Sequence, residues 1–168
     1  MPTDAPTRPE FRIERIFAAP RHIVWDAWTV PDQITGWFGP KGSRMTVITA
    51  DIRPGGILHS RMDVGGGNII YPRFVYREVV APSRLVWEHG FGDAAGNPVP
   101  AFIPNFPATL LNIVEFEEEG EGTRAILTST ALNATPAEIA EFAAMFDSMN
   151  GGWGGSFEVL DDLLAVHS

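Results

Sequence analysis

The feature that most limits the fold is an amphipathic stripe at the C-terminal end. From Ile139 the bulky apolar residues fall at Ile139, Phe142, Phe146, Met149, Trp153, Phe157, Leu160 and Leu164. Steps of three and four residues put them on one face of a helix with 3.6 residues per turn. Thr135-Pro136-Ala137-Glu138 stands just ahead. Thr135 is placed to cap, Pro136 suits the first helical position and Glu138 completes a capping box. A long helix with such a stripe needs a large apolar surface to lie on. In its middle is Asn150-Gly151-Gly152-Trp153-Gly154-Gly155, and each glycine costs about 0.8–1 kcal/mol relative to alanine inside a helix. Either the helix breaks there, or its surface is kept low around Trp153 so that something else fills the space. The second reading points to a ligand cavity.

Ahead of the stripe the period is mostly two. Glu10 to Ala18 reads as a first strand, with Phe11, Ile13 and Ile16-Phe17 as its apolar members. Two short helices follow, one carrying Val24, Trp25, Ala27 and Trp28, the other opened by Pro31 and carrying Ile34, Trp37 and Phe38. Gly39-Pro40-Lys41-Gly42 ends the second. Strands are expected at 45–52, 57–64, 69–80 (bent at Pro72), 84–91, 109–117 and 123–132, with Gly-, Pro- or acid-rich turns between most of them. Gly92 to Pro107 is too rich in proline for a central strand, so a loop is expected, its Phe102, Ile103 and Phe106 closing over a cavity mouth. Short turns between antiparallel strands make a curved sheet with one wet and one dry face. The class is α+β, the stripe covering the dry face.

The 168 residues suffice for one domain with a core. Residues 10–168 are read as that domain and 1–9, polar and proline-rich, as a flexible arm. No signal-peptide pattern and no apolar run of about 18–20 residues is present, so a soluble cytoplasmic protein with no membrane partner is expected. The net charge of −9 leaves no basic footprint for nucleic acid. With no cysteine, disulfides, thiolate catalysis and zinc–sulfur sites are excluded. Gly65-Gly66-Gly67 lacks a following helix and Gly151-Gly152 a preceding strand, so neither reads as a phosphate loop.

Strand alternation sorts the polar residues by face. Ser60, His89, Asn112 and Ser129 fall on the sides expected to be inward, where they orient a ligand or bond one another. His59 falls on the outward side, and His22 with Asp26, four apart on a helix, suggests a surface pair. No histidine spacing matches a metal site, so no metal and no cofactor are expected. Only His89 is placed to exchange protons near a cavity, and no acid is clearly inward beside it, so no catalytic residue is assigned. Trp153, flanked by glycines, is the tryptophan expected in a pocket wall, with the adaptable Met62, Met145 and Met149.

Several motifs together resemble one family. Phe17-x-Ala19-Pro20-x-x-x-Val24-Trp25-x-Ala27-Trp28-Thr29-x-Pro31, Trp37-Phe38-Gly39-Pro40 and Arg53-Pro54-Gly55-Gly56 are similar to the family named for the activator of the heat-shock protein 90 ATPase. So are Tyr76-x-Glu78-Val79, Arg84-Leu85-Val86 and Gly152-Trp153-x-x-Ser156-Phe157. The resemblance runs from about Phe11 to Leu164. It implies the helix-grip fold of the START and birch-pollen-allergen (SRPBCC) superfamily: a curved antiparallel sheet round a long C-terminal helix, two short N-terminal helices and an internal cavity. Founding members are cochaperones with a further N-terminal domain, for which this chain has no room, so a chaperone partner is not expected. Superfamily relatives include polyketide cyclases.

The expected function is binding of a small hydrophobic or aromatic molecule. The alternatives are a cavity enzyme, such as a cyclase or hydrolase, and a cochaperone-type interaction module. A homodimer is an open possibility. The residues expected to line the cavity are Trp37, Phe38, Met45, Ser60 and Met62; Tyr76, Trp87, His89, Phe91 and Phe106; and Asn112, Met145, Met149, Gly152 and Trp153.

Overall fold

The computed structural model describes residues 9–101 and 103–167. Apart from Pro9, the expected N-terminal arm lies outside the described residues, and so does Phe102. Strand β1 (Phe11–Phe17) leads into α1 (Arg21–Thr29) and α2 (Pro31–Ile34). The strands β2 (Arg44–Ala50), β3 (Ile57–Asp63), β4 (Ile69–Ile70), β5 (Pro72–Val80) and β6 (Arg84–Gly92) follow. Then come β7 (Pro98–Val99), β8 (Thr109–Glu119), β9 (Gly122–Ala131), α3 (Pro136–Ala144) and α4 (Phe146–His167).

All nine strands join one curved antiparallel sheet in the order β1-β9-β8-β6-β5-β3-β2, with β4 on β3 and β7 on β6. Burial along β9 alternates strictly, as a sheet with one covered face requires. Register shifts at Val47/Thr49 in β2 and Tyr76/Glu78 in β5 mark bulges, which bend strands and increase their twist. The architecture is the helix-grip fold.

The helical stripe lies on the covered face. Phe142, Phe157, Leu160 and Leu164 are buried, and Trp28 of α1 sits at the centre of an aromatic cluster. Its ring is 4.7 Å from Trp37 and is stacked on Trp153 at 6.2 Å. The capping box forms as its residues require: Thr135 Oγ1 accepts from Glu138 N at 3.2 Å, and Thr135 N donates to Glu138 Oε1 at 2.9 Å. Two ion pairs tie α4 to the rest, Arg15–Asp161 and Lys41–Glu158. The second is exposed and contributes little.

Four expectations are corrected. The C-terminal helix is two helices, and the interruption is at Met145, not at the glycines. Phe142 and Phe146 keep the stripe continuous across it, so the periodicity carries no sign of the break. The strand expected at 69–80 is interrupted at Tyr71. His59, expected outward and therefore wet, is only 4% exposed. It does face away from α4, but the Asp93–Asn97 turn folds over it, and its Nε2 donates to the Asp93 carbonyl at 2.9 Å. Arg73 Nε holds the same turn through the Gly96 carbonyl at 3.0 Å. No ion pair joins His22 to Asp26 among the described residues.

Candidate functional site

Three strands carry a polar row across the covered face. Trp87 of β6 is directly opposite Asn112 of β8, and Asn112 is opposite Ser129 of β9. Asn112 and Ser129 are each 1% exposed, and the Ser129 hydroxyl donates to Asn112 Oδ1 at 2.5 Å. Two residues along β6, on the same side as Trp87, stands His89. Its Nδ1 accepts from Trp87 Nε1 at 3.2 Å. Its ring stacks on Phe74, the cross-strand partner on β5, with centroids 4.6 Å apart. Burial pushes the His89 pKa down to about 4, because desolvation disfavours the imidazolium and no carboxylate stands beside it. The ring is neutral at physiological pH.

Beside this row is a partly open cavity of about 180 Å³. Strands supply His89, Phe91, Leu110, Asn112 and Ser129, α4 supplies Met149 and Trp153, and Met145 comes from the junction of α3 and α4. The remaining wall comes from the β7–β8 connection, with Ala101, Ile103, Phe106, Pro107 and Ala108. Phe106 is fixed by an edge contact with Phe142 at 6.2 Å. A second, more open lobe of about 190 Å³ lies on the other side of Trp153, bounded by Phe38, Gly39, Pro40, Gly152 and Ser156. His89, Met149 and Trp153 border both lobes.

Gly39, on the border of the second lobe, is a position that only glycine fills without strain. Its φ of +108° is one that side-chain-bearing residues rarely adopt, and a Cβ there would stand 2.6 Å from Ser43 Oγ and 2.8 Å from Met62 Cε. Its carbonyl accepts from Ser156 Oγ of α4 at 2.5 Å, tying the end of the α2 segment to the helix. A Cβ at any of the four glycines around Trp153 meets nothing within 4 Å. Gly152 borders the second lobe and not the first.

The structure brings together His89, Phe91, Phe106, Asn112, Met145, Met149 and Trp153 around the first cavity, with Phe38 and Gly152 at the second lobe. Other expected wall residues lie elsewhere. Met45 and Met62 pair across β2 and β3 in the core. Trp37 is buried, with its Nε1 donating to the Ala27 carbonyl at 2.8 Å. Tyr76 and Trp87 border a separate space of about 10 Å³, room for little more than one water. Burial pushes the Tyr76 pKa up. Ser60 is fully buried and its hydroxyl has no partner among the described residues.

Alternation reached Ser129 and reaches Leu110, which shares the face of Asn112. It gives no signal for Gly39, Pro40 and Ser156, whose contact joins residues 117 apart in sequence.

A larger hollow of about 270 Å³ lies on the opposite side of the sheet beneath Pro98–Pro100. Its rim carries Arg73 and Glu88, and neither Asn112 nor Ser129 borders it, so the cavity beside the polar row is the candidate site. Among the described residues no group of three or more His, Asp or Glu is placed to hold a metal ion. No helix there is long and apolar enough to cross a membrane.

Comparison with known proteins agrees with this architecture. The sequence pattern of the family described as "Activator of Hsp90 ATPase homolog 1-like protein" matches residues 18–165. Among solved structures, protein Ms6760 from Mycobacterium smegmatis is similar, with 26% identity and a TM-score of 0.75 over 92% of this chain and 90% of that one. A protein from Arthrobacter aurescens gives 24% identity and a TM-score of 0.79 over 97% and 90% of the two chains. Protein NE0264 from Nitrosomonas europaea gives 24% identity and a TM-score of 0.75 over 97% and 98%. No curated protein matches.

Proposed function

The chain belongs to the Activator of Hsp90 ATPase homolog 1-like family, and from that premise we propose that it binds a small hydrophobic or aromatic molecule between the sheet and α4. The observation that carries this reading is the cavity itself, of about 180 Å³, whose wall is apolar except for His89, Asn112 and Ser129. Small-molecule sites are concave and mainly apolar, with a few polar groups that set orientation. An apolar guest gains roughly 25 cal/mol for each Å² it removes from water. Met145 and Met149 give the wall side chains that refit to different shapes. Binding is reversible and uses no cofactor.

Two measurements test the reading. Native mass spectrometry of protein taken from its source organism should find a co-purifying small molecule. A hydrophobic fluorescent probe should bind wild type at one saturable site, and Met149→Trp, which places an indole where the lobes meet, should remove that binding while the thermal melt stays cooperative. Absence of a saturable site in wild type, or wild-type affinity in a folded Met149→Trp protein, would overturn the proposal.

A further inference from the structure

We propose that the molecule bound here carries a neutral carbonyl oxygen between two apolar arms, as a diaryl ketone does, and that His89 Nε2–H donates to that oxygen. The inference rests on the binding reading above and narrows its ligand class.

Hydrogen-bond partners fix which nitrogen of His89 carries the proton. An indole N–H only donates. Trp87 Nε1 is 3.2 Å from His89 Nδ1, so Nδ1 presents its lone pair and the single proton of the neutral ring is on Nε2. No described residue accepts from Nε2. The same reasoning applies to Asn112. Its Oδ1 already accepts from the Ser129 hydroxyl, and no described residue accepts from its Nδ2. The wall therefore offers N–H donors and asks for an acceptor.

The position of the donor sets the shape of the guest. His89 borders both lobes, with Met149 and Trp153. The lobes measure about 180 and 190 Å³, and a cavity of about 150 Å³ holds benzene. One ring fits each lobe, with the acceptor between them at the shared wall. Charge sets the rest. No lysine, arginine or carboxylate lines either lobe, and the His89 ring is neutral. A carboxylate guest would lose its water without gaining a counter-charge, which is costly. A neutral carbonyl accepts without that penalty.

Isothermal titration of wild type with benzophenone, diphenylmethane and diphenylacetate tests this, together with His89→Phe. Benzophenone should bind about tenfold more tightly than diphenylmethane, as one or two matched hydrogen bonds allow. Diphenylacetate should bind most weakly, and His89→Phe should bring benzophenone down to the affinity of diphenylmethane. Equal affinities for the ketone and the hydrocarbon would overturn the acceptor reading and leave the binding proposal standing. Tightest binding of diphenylacetate would overturn the neutral-ligand reading. Failure of all three to saturate would overturn both proposals together. Nitrogen NMR of the wild-type histidines needs no variant. It should find the His89 proton on Nε2 and a shift there on adding benzophenone; a proton on Nδ1, or an unmoved Nε2 at saturation, would contradict the proposal.

Discussion

Replacing Asn112 by leucine removes the acceptor on which the Ser129 hydroxyl relies. Both groups are buried, so the orphaned hydroxyl should cost about 1–3 kcal/mol. Adding Ser129→Ala should restore much of that loss, because the hydroxyl and its acceptor then leave together. A urea-unfolding double-mutant cycle reads the coupling directly; strictly additive single effects would mean that the pair is not coupled. His89 makes a different demand. Its ordinary value of 6.5 falls to about 4 in the folded chain. Between those values the unfolded state binds a proton that the native state refuses, so stability rises with pH across this window. Wild type should therefore lose stability relative to His89→Gln as pH drops from 6.5 towards 4, by about 3 kcal/mol at most. Below pH 4 the difference should flatten. Phe74, Phe38 and Trp87, the rings packed on His89, carry no charge that would oppose this. Equal pH profiles for the two proteins would mean that the ring is solvated.

At the scale of elements, the chain between β6 and β8 divides into two parts with different tasks. Asp93–Asn97 folds onto the outer face, its Asp93 Oδ1 accepting from the amides of Ala95 and Asn97 at 2.9 Å each. These bonds hold the Asp93 carboxyl below its usual pKa, the amide of Asn97 first. Ala101–Ala108 instead walls the cavity. Removing the anchor with His59→Ala should raise amide hydrogen exchange across 93–97 while the protected strands β8 and β9 stay slow; unchanged exchange would leave the Arg73 contact as the sole anchor that matters. The second part lines the cavity, as the apolar residues of this segment suggested, and the sequence carried no sign of the first. Elements whose partners are adjacent in the chain were legible: the β8–β9 hairpin from its alternation, and the α3 start from Thr135 and Glu138. The fate of His59 and the wall at Gly39 depend on contacts across the sheet or to α4, which local periodicity does not encode.

At the scale of the whole molecule, the fold follows from one apolar stripe and a series of two-period segments, because a single sheet is the only surface large enough to bury that stripe. The cavity is less legible. It lies between the strands, the β7–β8 connection and α4, and its wall comes from four separate stretches of the chain, 89–91, 101–112, 129 and 145–153. Alternation placed Asn112 and His89 on the covered face but could not say that Met62 and Tyr76, also on that face, sit away from the cavity under Gly39 and Phe38. The methionines record this difference. Met145 and Met149 line the cavity, whereas Met45 and Met62 are buried in the core between β2 and β3. Titrating methyl-labelled protein with benzophenone and following the methionine methyl signals by NMR therefore tests the central claim most directly. The Met145 and Met149 signals should shift along one saturable curve while Met45 and Met62 stay within a small fraction of that change. Saturable shifts centred on Met45 and Met62, or no saturable shift at Met145 and Met149, would contradict a binding cavity between the sheet and α4.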